Sequence, residues 1–213
     1  MWYSCLSKHL PEQVEINGTR YDIRYGFRTM IAIEIVMYGD MSDEDKIEQA
    51  LSLFYRNKIP DNGERAMEKL LWFHRCGMTG EDADLQEGTG HKKQQCRAYD
   101  FVQDAGMIYA AFKQQYGVNL HTIKSDEMHW WEFSSLFDGL TDMTKMGKVI
   151  YWRTCDTRNM SKIERKYIQE MRKIFAIKDT STMGVKANAS RLASRNAAMI
   201  RYVERRYEEC QIR

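Results

Sequence analysis

Residues 99–116 read YDFVQDAGMIYAAFKQQY. Apolar side chains recur here at offsets of 0, +4, +7 and +11, the spacing that places them on one face of an α-helix; they are Phe101, Ala105, Ile108 and Phe112. Gly117 follows, at a position where helices commonly end in a left-handed residue. The stretch therefore predicts an amphipathic helix.

The same periodicity continues through most of the chain after Gly26. It predicts further helices at residues 27–38, about 42–58, 62–77, 125–140, 143–152, 161–177 and 187–210. The segment 27–38 is apolar nearly all round, which indicates a central buried helix. Upstream, apolar and polar residues alternate on both sides of Asn17-Gly18, which predicts a short β-hairpin with a type I′ turn. The predicted fold class is mainly α, a multi-helix bundle of about seven helices with a short N-terminal β-hairpin.

The loop that these helices leave between them suggests a domain organisation. Residues 77–97 are rich in glycine and acidic residues and lack helical periodicity, so we interpret them as a mobile loop. The loop separates a hairpin plus three-helix unit, residues 1–76, from a second helical unit, residues 98–178. A basic C-terminal helix at 179–213 completes this division. A single compact domain is the alternative.

Composition indicates a folded, soluble protein. The chain has 213 residues, a net charge of +2, 43% hydrophobic residues and 29% charged residues, a balance that argues against intrinsic disorder. No apolar run approaches the roughly 20 residues that cross a bilayer, and no secretory signal pattern opens the chain. The five scattered cysteines are typical of reduced thiols. We therefore expect a cytoplasmic location and no membrane partner.

Charge is distributed unevenly along the chain. Residues 1–144 carry 15 Lys and Arg against 23 Asp and Glu, whereas residues 145–213 carry 17 against 7. Such a split can draw the two parts together or present a basic surface to an acidic partner.

The sequence contains no recognisable motif for catalysis or metal binding. The glycines around residues 88–90 lack the spacing of a phosphate-binding loop, and no Gly-x-Ser-x-Gly turn is present. His74-x-Cys76 and His91-x4-Cys96 are more simply unrelated neighbours than zinc ligands. The sequence therefore predicts no catalytic residues, no cofactor, no metal and no enzymatic activity.

The most unusual motif is His129-Trp130-Trp131-Glu132-Phe133. Adjacent tryptophans on a helix point about 100° apart, so one can face the core and the other a partner. The hypothesis is a protein-binding surface formed by Met128, His129, Trp130, Trp131, Phe133 and Phe137. The favoured alternative is that both tryptophans anchor the core, since buried aromatic residues are commoner in cores than in interfaces.

The predicted helix at 161–177 has one apolar and one basic side. The apolar stripe comprises Ile163, Tyr167, Met171, Ile174 and Phe175. The basic face comprises Lys162, Arg165, Lys166, Arg172 and Lys173 and could contact nucleic acid or an acidic partner. More commonly such a face is only solvated, and nucleic acid is the less favoured partner.

Several segments together resemble the bacteriophage gp-fifteen family, from siphophages and prophages of Gram-positive bacteria. The resemblance covers about residues 10–178, and its most specific part is the His-Trp-Trp block after the Asp104-Ala105-Gly106-Met107-Ile108-Tyr109-Ala110-Ala111-Phe112 helix. It also includes Leu10-Pro11, the hairpin with residues 25–38, residues 116–120, residues 136–140 and Tyr151-Trp152-Arg153. The tail from about Thr180 has no counterpart.

This resemblance implies a role in tail assembly in the bacterial host cytoplasm. The expected activity is chaperone-like, with the tape-measure protein, the major tail (tail-tube) protein or both as partners, and with no place in the mature virion. A homo-oligomer is also open. Alternatives are a structural virion component, such as a tail-completion or connector subunit, and a helical nucleic-acid-binding protein that uses the basic C-terminal segment.

Overall fold

The computed structural model describes residues 9–78, 97–124 and 126–178. Within these ranges the chain forms one two-stranded hairpin and seven α-helices. The strands are β1 (Gln13–Ile16) and β2 (Thr19–Asp22), and the helices are α1 (Phe27–Tyr38), α2 (Asp43–Phe54), α3 (Gly63–His74), α4 (Ala105–Tyr116), α5 (Trp130–Asp138), α6 (Lys145–Thr154) and α7 (Lys162–Ile174). The prediction of a mainly α fold with about seven helices and an N-terminal hairpin is confirmed.

The chain divides into two compact units. Among the described residues, the first contains 9–78, 124 and 126–134, and the second contains 97–123 and 135–178. The His-Trp-Trp motif therefore belongs to the first unit, whereas the division made from the sequence grouped it with residues 98–178. That division stays a prediction, because most of the proposed loop and the whole segment 179–213, including the helix proposed at 187–210, lie outside the described residues.

The hairpin forms as its turn residues predict. Val14 pairs with Tyr21 and Ile16 with Thr19 in an antiparallel register. Asn17 and Gly18 have φ values of 51° and 77°, the positive values that a type I′ turn requires at both central positions. Val14 and Ile16 are buried, so the alternation of the sequence directs one face of β1 into the core.

The first unit is a core of apolar side chains from α1, α2 and α3. Ser42 and Asn62 accept hydrogen bonds from backbone N–H groups in the first turns of α2 and α3, which fixes where both helices begin. The enclosed side chains are Phe27, Met30, Ile33, Ile47, Leu51, Phe54, Ala66, Leu70 and Phe73. The prediction that α1 is a central buried helix is only partly correct, because Ile35 and Tyr38 are exposed on its outer side.

In the second unit, α4 packs against α6 and α6 against α7. Thr144 caps α6, and Ser161 with Glu164 forms a capping box at the start of α7. Gly117 ends α4 in the left-handed conformation, with φ of 70°, as the sequence predicts.

Two predicted helix starts are wrong. The helix predicted from residue 99 begins at Ala105, because the Asp100 carboxylate accepts hydrogen bonds from the backbone N–H groups of Val102 and Gln103 and holds a turn there. The helix predicted from residue 125 begins at Trp130, because the preceding residues pair with residues 25–27 through main-chain hydrogen bonds. In that pairing, Phe27 N–H donates to the Met128 carbonyl and Trp130 N–H donates to the Tyr25 carbonyl.

Candidate interaction surface

The residues predicted to bind a partner are all buried. Met128, His129, Trp130, Trp131, Phe133 and Phe137 are each below one tenth exposed. Five of them lie together in the first unit, whereas Phe137 packs against Tyr99 and Phe101 in the second. As folded, these side chains form core and not a contact surface, which is the role that the alternative interpretation of the motif gave them.

The two tryptophans hold the end of α3. Trp131 Nε1 donates to the Phe73 carbonyl at 2.8 Å, and Trp130 Nε1 donates to the His74 carbonyl at 2.9 Å. Carbonyl groups in the last turn of a helix have no partner within the helix, so the indole N–H groups supply donors to them, and at Phe73 they add to the backbone N–H of Cys76. The Trp131 ring also lies against Gly77, where an added Cβ would be 3.0 Å from Cη2. The motif therefore joins α5 to the end of α3.

His129 uses both of its ring nitrogens as a neutral side chain. Its Nδ1 accepts from the Trp131 backbone N–H at 3.0 Å, so Nε2 carries the proton that is donated to the Pro11 carbonyl at 3.1 Å. The ring stacks on Tyr25. Burial lowers the pKa of His129, although the Pro11 carbonyl and the nearby Glu12 both favour the protonated form.

Acid should therefore weaken the first unit through His129. The unfolded chain has the higher histidine pKa, about 6.5, so it binds more protons than the folded chain as the pH falls through that value. The stability that neutral His129 contributes is fully present above about pH 6.5 and is lost progressively below it. Urea unfolding of the wild type and His129→Gln at several pH values should show that the free energy of unfolding falls less at low pH in the variant.

Asn62→Ala provides the control, because it removes the cap of α3 in the same unit without removing a titrating group. It should lower the free energy of unfolding by a similar amount at every pH. If the free energy of unfolding depended on pH in the same way in the wild type and in His129→Gln, the role assigned to His129 would be contradicted.

The side chains of the predicted basic face of α7 fall into two groups, arginines that donate to backbone carbonyls and exposed lysines. Arg172 is part-buried, and it donates to the Trp152 carbonyl at 2.7 Å and to the Cys155 carbonyl at 2.6 Å. Arg165 donates to the carbonyls of Arg158 and Met160. Both arginines therefore bind main chain of their own unit. Lys162, Lys166 and Lys173 are exposed.

The apolar stripe predicted on α7 is largely on the surface. Ile163 is 84% exposed, Tyr167 48% and Ile174 67%, whereas the buried side chain of this helix is Ile168. Phe175 does pack inward, on Trp152. Lys162, Ile163, Lys166, Tyr167 and Glu170 line a shallow open groove. We call Ile163, Tyr167, Glu170 and Ile174 the α7 stripe.

Other exposed apolar side chains are more scattered. In the first unit they are Ile35, Tyr38 and Met41, and in the second they are Val102, Met143 and Tyr151. Ile35 and Tyr38 are one turn apart at the end of α1, and small groups of surface hydrophobic residues are normal. They carry less weight than the α7 stripe, which extends over three turns and is bordered by lysines.

The described residues form neither a metal-binding cluster nor a membrane-spanning helix. Within residues 9–78, 97–124 and 126–178, no group of three or more His, Cys, Asp or Glu side chains could hold a metal ion. No helix in this part of the chain is both long and apolar enough to span a bilayer. The expectation that the protein is not an enzyme stays a prediction.

Comparison with known proteins identifies the family. A family model described as Bacteriophage Gp15 protein matches residues 6–177. Neither the curated proteins nor the solved structures give a match. The family match covers most of the chain and extends through both the buried motif and α7. This protein therefore belongs to the bacteriophage Gp15 protein family.

Proposed function

We propose that this protein is a tail-assembly factor that binds the tape-measure protein, the major tail protein or both during tail morphogenesis in the bacterial host cytoplasm. Membership of a bacteriophage family supports a phage structural or assembly role. The observation that carries the finer proposal is the α7 stripe, where Ile163 and Ile174 are mostly exposed and Tyr167, which also contacts the Trp152 ring, is about half exposed.

Exposure of this kind is costly unless a partner covers it. Fully burying an isoleucine side chain stabilises by about 1.5–3 kcal/mol relative to leaving it exposed. A partner that covered Ile163 and Ile174 would therefore gain a favourable contribution to its binding free energy. Recognition of an amphipathic helix by apolar anchors at three- and four-residue spacing is a common mode of peptide binding. A chaperone-like factor needs such a surface to cover apolar segments of a tail protein before they assemble.

The contacts of the arginines weigh against the nucleic-acid alternative. Tracking a phosphate backbone depends on exposed cations. Arg172 and Arg165 donate to backbone carbonyls of their own unit, which leaves the three lysines as the exposed residues of the predicted basic face whose side chains are not engaged in this way; Arg165 is also exposed. A gel-shift series at two salt concentrations tests this alternative directly.

A pull-down with separately purified tail proteins tests the proposal. The tagged full chain should retain the tape-measure protein or the major tail protein encoded by the same phage, and it should not be found in purified mature particles. Failure to bind either protein would contradict the proposal. A fixed copy number in mature particles would instead favour the structural virion component.

A further inference from the structure

The α7 stripe has the spacing of a helix-pairing seam. Ile163, Tyr167, Glu170 and Ile174 follow one another at steps of four, three and four residues. Successive helical residues are 100° apart, so the four side chains lie within about 40° of the first one. Steps of four and three are those of the a and d positions through which two helices pair.

Positive charge borders this seam on one side, whereas the charged residue on the other side is Glu164, which is exposed and forms the capping box with Ser161. Lys162, Lys166 and Lys173 project about 60–100° from the line of the stripe, and all three are exposed. On the other side, Ile168 is buried and Phe175 stacks on Trp152, so that border is occupied by the unit itself. A helix lying on the stripe would therefore meet a row of three positive charges along one of its edges.

This asymmetry argues against pairing of α7 with α7 of a second copy. A symmetric antiparallel pair places equivalent borders next to each other, so the lysine row of one copy would face the lysine row of the other. Like charges at such positions are destabilising. A symmetric parallel pair would direct each lysine row at the other border, where Ile168 and Phe175 already pack on their own unit and the Glu164 carboxylate is engaged in the capping box.

The described helices of this chain do not offer a matching acidic partner surface either. Helix α2 has Asp43, Glu44 and Asp45 in its first turn, but its apolar side chains Ile47, Leu51 and Phe54 are enclosed in the first unit. Exposing them would dismantle that core. Since no helix in the described part of the chain fits the stripe in apolar spacing and in charge, its occupant is sought in a different polypeptide.

We propose that the α7 stripe binds an amphipathic α-helix of another protein whose acidic side chains lie opposite Lys162, Lys166 and Lys173. This inference rests on the proposed function for the identity of that protein, a tail protein, and on the geometry of α7 for its chemistry. Ile163 and Ile174 are the apolar anchors, and Glu170, a polar residue on the seam, fixes the register of the bound helix.

A pair of synthetic helical peptides tests the chemistry independently of any phage partner. Both have three heptads, about 21 residues, with leucine at a and d; one has glutamate and the other lysine at e and g. The full chain should bind the glutamate peptide at least about tenfold more tightly than the lysine peptide in fluorescence anisotropy. The preference should shrink as salt is added.

Charge reversal on α7 should reverse this preference. Lys166→Glu/Lys173→Glu should bind the lysine peptide more tightly than the glutamate peptide, and Ile163→Ser should weaken the binding of both peptides. The control is Lys113→Glu/Lys148→Glu, which makes the same change in net charge at exposed positions of α4 and α6. Far-UV circular dichroism should show that all variants are folded.

The inference is overturned by equal affinity for the two peptides or by no binding up to about 100 μM. It is also overturned if the control variant loses as much affinity for the glutamate peptide as Lys166→Glu/Lys173→Glu does. A dimer of the wild type that Ile163→Ser dissociates would assign the stripe to a second copy and would also overturn it. Binding of tail protein that Lys166→Glu/Lys173→Glu leaves unchanged would refute the inference alone. Selective binding of the glutamate peptide by a chain that retains no tail protein would refute the proposed function alone.

Discussion

Trp131→Ala should lower the free energy of unfolding by about 3–5 kcal/mol. Trp131 is the largest fully buried side chain among the described residues, at 1% exposure, and its removal would leave a cavity between α3 and α5. It would also remove the hydrogen bond to the Phe73 carbonyl at the end of α3. Urea unfolding followed by circular dichroism measures this change.

Two further variants separate the causes of that loss. Trp131→Phe keeps an aromatic ring but removes the Nε1 donor, so it should cost less than the alanine substitution. Tyr151→Ala, at a position that is 50% exposed, should change the free energy of unfolding by no more than about 0.5–1 kcal/mol. A Trp131→Ala protein as stable as the wild type would contradict the assignment of Trp131 to the core.

This placement changes how a binding experiment on the motif must be interpreted. Because Trp131 is enclosed, a loss of partner binding in Trp131→Ala would follow from local unfolding as readily as from a lost contact. Substitutions on the α7 stripe avoid this difficulty, since Ile163 and Ile174 are exposed and their removal leaves no cavity.

Local signals in the sequence predicted most of the secondary structure. The Asn17-Gly18 turn, the Ser42 cap and the Gly117 helix end are each decided by a few neighbouring residues, and all three are found in the structure. The start of α5 depends on residues far apart in the chain. The hydrogen bonds that extend residues 128 and 129 come from residues 25–27, and no local pattern records that pairing.

The surface could not be predicted from periodicity. Spacing shows that Ile163, Tyr167 and Ile174 share a face of α7, but it does not show whether another element covers that face. The hydrophobic stripe and the aromatic motif look equally suited to a core. In the structure the aromatic motif is enclosed, whereas Ile163 and Ile174 are not. The side chains of α7 and its C-cap that pack within the unit include Ile168, Phe175 on Trp152 and, in part, Tyr167 on the same ring.

The buried ion pair of the second unit could not be predicted from the sequence either, because its two residues lie far apart in the chain. Asp104 and Arg153 are 49 residues apart, and their side chains are 3% and 7% exposed. Arg153 donates to both carboxylate oxygens of Asp104, and it also donates to the Ala98 and Phe175 carbonyls at 3.0 and 2.9 Å. One guanidinium group thus connects the segment before α4, the helix α6 and the end of α7.

Breaking this pair from either side should be strongly destabilising. Arg153→Met leaves the Asp104 carboxylate buried without its counter-charge, and Asp104→Leu does the same to the guanidinium, so each should cost about 3–5 kcal/mol. The double variant should cost much less than the two losses added together, because it leaves no uncompensated buried charge. Arg65→Met, which breaks the exposed pair with Glu68, should cost no more than about 1 kcal/mol. Urea unfolding of all four variants gives the coupling energy, and additive losses would show that Arg153 acts through its carbonyl contacts and not through Asp104.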